Sequence, residues 1–121
     1  MHSDKSLKSW YRKINKRFFL NELPNDVCVR YVNEDDDDEE ERCEERYCGW
    51  SDRGDERHKY VIVISKTNDR VARLATLAHE MIHVFTALKD DHGPAFERVR
   101  QMISDRGIFK KNAIYKGFTL F

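Results

Sequence analysis

The chain has 121 residues, of which 36% are charged and 40% apolar, and its formal net charge is zero. That length fits one domain, residues 1–121, with a core of its own. It contains no apolar run long enough to span a bilayer and no hydrophobic signal core at its start, and its three cysteines are too few and too odd for a disulfide framework, so the reading is a monomer of a reducing compartment: cytoplasmic, nuclear or nucleoid-associated.

Residues 5–21 are predicted as a first helix capped by Ser3 or Asp4. Leu7, Trp10 or Tyr11, Ile14 and Phe18 recur on its inner face, and Lys5, Lys8, Arg12, Lys13, Lys16 and Arg17 are basic. Leu23-Pro24-Asn25 reads as a turn and 27–33 as a strand, since Val27, Val29 and Tyr31 alternate with other residues. The stretch 34–45 holds ten acids and one base, so it carries nine net negative charges and the rest of the chain nine net positive ones. It is predicted as an acidic solvating loop. Arg46 to Ser51 reads as a short strand with Gly49 inside it, Asp52-Arg53-Gly54-Asp55 as a turn, and 59–65 as a strand apolar enough to be central. Residues 68–89, with Thr67 or Asn68 as cap, form the longest helical pattern, on Val71, Leu74, Ala75, Ala78, Ile82, Phe85 and Leu88. A last helix starts at Pro94, a residue favoured in the first turn, and runs through Ala95, Phe96, Val99, Met102 and Ile103. The tail 108–121 is basic and aromatic and is expected to pack on the body. The architecture expected from this order is α+β: a small, largely antiparallel sheet against three helices, with a cleft between the long helix and the sheet edge.

Within the long helix stands His79-Glu80-Met81-Ile82-His83. Residues four apart share a helix face, so His79 and His83 can grip one ion from a rigid element. Zinc takes neutral imidazole nitrogen and, in catalytic sites, three protein ligands. The expected third ligand is His92, in the turn before the last helix, with Asp90 and Asp91 as competing oxygen donors. Glu80 is placed to act as the catalytic base on an activated water, which makes metal-assisted hydrolysis of peptide bonds the expected chemistry. Tyr47, His58, Arg98 and Tyr115 are candidates for stabilising the oxyanion. His2 and His58 otherwise read as surface residues. Cys43 and Cys48 are spaced unlike a zinc knuckle, so with Cys28 they are expected to be free thiols.

His79-Glu80-Met81-Ile82-His83 followed by His92-Gly93-Pro94-Ala95-Phe96 resembles the HExxH…HGxxF pattern of the SprT-like (spartan-related) zinc metalloprotease domain family. With the upstream helix and strands, the likeness covers roughly residues 5–106. It implies a zincin-like minimal metalloprotease fold without the family's C-terminal zinc ribbon. It also implies one zinc ion on His79, His83 and His92, Glu80 as base, and protein substrates that include proteins crosslinked to DNA. A second expected partner is single-stranded or damaged DNA on the basic faces; Trp10, Tyr11 and Trp50 could stack on bases, but helical spacing reads the aromatics as core in preference to stacking. The alternative reading is a non-catalytic, zinc-stabilised module that binds nucleic acid or a protein.

Overall fold

The computed structural model describes residues 2–32, 49–66, 70–89 and 92–107. The acidic stretch, Cys43, Cys48, Tyr47, Asp90, Asp91, the expected caps Thr67 and Asn68, and the tail with Tyr115 lie outside them.

Helix α1, Lys5–Phe18, starts where Asp4 accepts a hydrogen bond from the Leu7 amide at 3.0 Å, an N-cap that satisfies one of the free amides of the first turn. Its buried side is Leu7, Tyr11, Ile14, Asn15 and Phe18. The helix stops short of the expected residue 21 because Leu20 and Asn21 adopt left-handed backbone angles (φ 54° and 61°) that reverse the chain. The buried Asn15 amide then bonds both the N–H and the carbonyl of Leu23, each at 3.1 Å. This pins the connection to strand β1, Val27–Tyr31.

Strand β2, Gly49–Arg53, and strand β3, Tyr60–Ile64, complete a three-stranded sheet of order β1-β3-β2. The expectation of a largely antiparallel sheet is corrected here: β1 runs parallel to β3, and β2 antiparallel to it, so the sheet is mixed. All five residues of β3 are buried, as a central strand requires. Tyr60, Ile62 and Ile64 join the main core, while Val61 and Val63 pack with the buried thiol residue Cys28 on the other face. The outer side of β1 is taken by the start of the chain. The Asp4 amide donates to the Val29 carbonyl at 2.8 Å, and the Val29 amide donates to Ser3 Oγ at 3.0 Å.

Helix α2, Arg70–Phe85, lies across the sheet and buries an unbroken run from Thr76 to Val84. Helix α3, Pro94–Asp105, adds Phe96, Val99 and Ile103 to the same core, with Pro94 in its first turn as expected. No helix among the described residues is long and apolar enough to cross a membrane.

Tyr11 shows how tightly α1 is seated. It is fully buried, and its phenol donates to the Pro24 carbonyl at 2.6 Å. Burial, and secondarily the Asp26 charge, raise its pKa above the ordinary phenol value. A group whose pKa is raised by folding contributes stability that is complete below its unfolded pKa, about 10, and is lost as pH climbs through the folded value. The Tm of the wild type should therefore fall more steeply above about pH 10 than that of Tyr11→Phe. Parallel Tm–pH curves for the two proteins would remove Tyr11 as the alkaline trigger.

Candidate metal centre

Residues on α2 and in the turn before α3 converge on one point. His79 and His83, one turn apart, are 9% and 8% exposed, and His92 reaches back over them from the exposed turn. The Nε2 atom of His92 stands 3.2 Å from His83 Nε2 and 3.2 Å from His79 Nε2. One nitrogen from each of the three rings lies within 4.8 Å of the others. Two nitrogens bound at about 2.0–2.1 Å to one tetrahedral ion stand about 3.3 Å apart, so this spacing is that of metal ligands. The donors also fit a cation chemically. A neutral imidazole exposes one lone pair and one N–H, so a ring nitrogen can donate to only one neighbour at a time. Three ring nitrogens crowded together are best satisfied by a positive ion between them. The three histidines can hold a metal ion, as the sequence spacing predicted.

How His92 gets there is a backbone matter. Helix α2 ends in two successive left-handed residues, Ala87 (φ 56°) and Leu88 (φ 61°), with the Leu88 amide bonded to the His83 carbonyl at 2.8 Å. This reverses the chain at the end of α2, on the way to His92. Under the rings lies Phe96, 2% exposed, its ring centroid 5.2 Å from His79, 4.7 Å from His83 and 4.8 Å from His92. Phe96 is both a core residue and the floor that all three imidazoles rest on. In the sequence Phe96 stands as a helical-period core position and as the last residue of the HGxxF pattern, neither of which marks it as the floor of the triad.

Glu80 sits beside the triad, 3% exposed. Its Oε2 is 4.0 Å from His79 Nε2, and its Oε1 accepts a hydrogen bond from the Ser51 hydroxyl at 3.0 Å. Ser51 was not anticipated: a single serine in a short polar strand gives no sequence signal. Its placement follows from Gly49, two residues earlier on the same face of β2. A Cβ at Gly49 would meet the Val63 carbonyl oxygen at 2.7 Å and Thr76 Cγ2 at 3.1 Å. A side chain there would collide with the backbone of β3 and crowd Thr76 of α2, so glycine lets β2 pack close to both. Thr76 and Glu80 are one helical turn apart, about 5–6 Å, and Gly49 and Ser51 are two strand residues apart, about 6–7 Å. The contact at the first pair thus brings the second pair into hydrogen-bond range.

The other candidates are placed elsewhere. His58 bonds Asp55 through Nδ1 at 3.0 Å in the loop between β2 and β3. There the His58 hydrogen bond is the main reason the Asp55 carboxyl is held below its usual pKa. Arg98 is exposed on α3, and His2 is exposed near the start of the chain. Tyr11, a candidate for stacking on bases, is spent on the core. Trp50 is half-buried and packs against the cluster of Cys28, Val61 and Val63.

Comparison with protein-family models, with characterised proteins and with solved structures finds no match for this chain.

Proposed function

We propose that this protein is a zinc-dependent endopeptidase. The observation that carries the reading is the buried Glu80 carboxylate beside the point where three imidazole nitrogens meet, with one oxygen held by Ser51 and the other turned to the triad. A metal that served only to stabilise the fold would need its ligands but no carboxylate poised next to them. The likeness of the two histidine motifs to the SprT-like domain agrees with this reading and extends the proposed substrates to DNA-associated proteins.

His79, His83 and His92 would hold the ion, which when bound supplies Lewis acidity toward a water and toward the scissile carbonyl. Glu80, through Oε2, takes the proton of the attacking water and delivers it to the leaving amine. Ser51 keeps the carboxylate from turning away from the reacting atoms, and Phe96 keeps the underside of the triad dry. Substrate approaches from the His92 side, the exposed side of the cluster. The strand beside Glu80 is β2, at the sheet edge, and an extended peptide laid along it would be read through its backbone more than its side chains. Strand β3 is flanked by β1 and β2 and cannot serve.

The test is cleavage of an unstructured protein by the purified chain before chelation, after it, and after one equivalent of zinc is returned. Loss and recovery of cleavage are expected. Intact substrate throughout, with one zinc bound per chain, would make the domain a metal-stabilised binding module instead.

Removing the positioning bond should separate turnover from binding. A hydrogen bond to a charged group is worth about 1.5–3 kcal/mol, so Ser51→Ala should lower kcat by about 10- to 100-fold at unchanged KM and zinc content. Ser51→Thr, which keeps the hydroxyl, should recover part of the loss. A wild-type kcat in Ser51→Ala would remove Ser51 from the proposed mechanism.

A further inference from the structure

Strand β2 ends in an exposed cation, Arg53, that the hydrolysis itself does not require. Cross-strand partners share a face of the sheet. Gly49, Ser51 and Arg53 pair with Ile64, Ile62 and Tyr60, all three of which join the main core beneath α2. The Arg53 side chain therefore leaves the strand on the same face as the Ser51 hydroxyl that holds Glu80. Thr76 sits at Gly49, and Glu80 at Ser51. One further strand step, about 6–7 Å, and one further helical turn, about 5.4 Å, bring Arg53 to the level of His83.

The backbone of β2 decides how a peptide meets this residue. The Ile64 carbonyl accepts from the Val32 amide, so Ile64 turns its peptide groups toward β1. Backbone groups alternate sides along a strand, so Val61 and Val63 turn theirs toward β2, where Asp52 and Trp50 answer them. Gly49, Ser51 and Arg53 are left presenting N–H and C=O to the outer edge. The Arg53 amide is already spent, on Asp52 Oδ1 at 2.7 Å. A peptide added to this edge thus pairs with the backbone of Gly49 and Ser51, and at Arg53 it meets a closed amide and a guanidinium.

That guanidinium is available. Among the described residues, no hydrogen bond, ion pair or ring contact engages it. The acids nearest in sequence point or bond elsewhere. Asp52 pairs with Val61 on the opposite face, and Asp55 accepts from the Arg57 and His58 amides and holds His58 Nδ1. A substrate residue opposite Arg53 lies two positions from the residue opposite Ser51 and turns its side chain to the same face. A carboxylate there gains the forked pairing that a guanidinium favours, and a lysine meets a like charge.

We propose that Arg53 is a specificity-determining residue, which selects an acidic side chain two positions along the substrate from the residue opposite Ser51. This rests on the peptidase reading of the metal centre.

The test is the cleavage profile of a random decapeptide pool cut by the zinc-loaded full chain and read by mass spectrometry. Asp and Glu should be enriched about three- to fivefold at one position near the cut, the scale of a partly exposed ion pair. Arg53→Gln should abolish the enrichment, and Arg53→Glu should replace it with Lys and Arg. Arg57→Gln, which removes an exposed charge from the adjoining loop, should leave the profile as in the wild type. Both Arg53 variants should match the wild type in zinc content, which separates selection from damage to the metal centre. Cleavage without an acidic preference would overturn the proposal, as would a preference that survives Arg53→Gln or disappears in Arg57→Gln. If the wild type cuts nothing, the peptidase reading falls, and binding decides the role of Arg53. The zinc-loaded chain is then titrated, by anisotropy, into a fluorescent decapeptide of alternating Ser and Val with one central Glu or Lys. Tighter binding of the Glu peptide, inverted by Arg53→Glu, would keep Arg53 as the acid-recognising residue of a binding groove. Equal binding of the two peptides, or binding of neither, would remove it.

Discussion

Glu80→Gln is expected to leave zinc in place and to reduce peptide cleavage by at least about a hundredfold, since a positioned general base contributes roughly 10²–10⁴ to rate. The substitution is nearly isosteric. The glutamine oxygen can still accept from Ser51, and none of His79, His83 or His92 is touched. Folding and metal content should therefore match the wild type, and the loss should fall on turnover. Zinc per chain and kcat measured on the same preparation check this. Wild-type turnover in the variant would show that the proton goes elsewhere and would undo the role given to Glu80.

The second large effect is expected from Phe96→Ala. Truncating a buried phenylalanine costs about 3–5 kcal/mol, through lost burial and the cavity left behind. For a chain of 121 residues each kcal/mol is worth about 4 °C of Tm, so the zinc-free variant should melt at least ~10 °C below the zinc-free wild type. Because the ring sits within 4.7–5.2 Å of all three imidazole centroids, the same change should loosen the ligands. Losses of about 10- to 100-fold in metal affinity follow removal of groups that orient ligands. Excess zinc should restore part of the Tm, because a ligand that binds only the folded state stabilises it. Thermal unfolding with and without zinc, alongside a competition titration with a chelating dye, checks both halves. An unchanged zinc affinity would reduce Phe96 to a core residue.

The metal ligands were legible in the sequence because their geometry is local. A four-residue spacing on an uninterrupted helix fixes His79 and His83 relative to one another, and Gly93-Pro94 announces the helix start that holds His92 in the preceding turn. The central place of β3 was legible for a similar reason, since its five apolar residues leave no solvent face. What escaped reading depends on which segments meet across the chain. The parallel pairing of β1 with β3 joins Val27 to Tyr60 and has no local mark. Of the strand expected at 46–51, residues 46–48 lie outside the described residues, and the described part runs past Ser51 because Asp52 and Arg53, read as turn residues, pair with Val61 and Tyr60 at the polar rim of the sheet. Ser51, Asp52 and Arg53 are all polar, so this edge strand lacks the apolar alternation that marks a strand in sequence. Ser51 was read as a strand residue, but nothing local marks it as a partner of Glu80: the close packing at Gly49 brings it there.

The paired left-handed residues at the end of α2 carry a consequence for how the loaded and empty forms differ in motion. Ala87 and Leu88 hold a conformation that costs each side chain about 1–2 kcal/mol, and they hold it on the path to a metal ligand. With His92 tethered to the ion, the turn is clamped from both ends. Without the ion, that tether is gone while the backbone strain at Ala87 and Leu88 remains. The turn after α2 should then open more readily than it does with the ion bound. Amide hydrogen exchange at Ala87 and Leu88, whose N–H groups bond the carbonyls of Val84 and His83, should thus slow on zinc binding far more than exchange in β3. The end of this helix would act as a built-in gauge of metal occupancy.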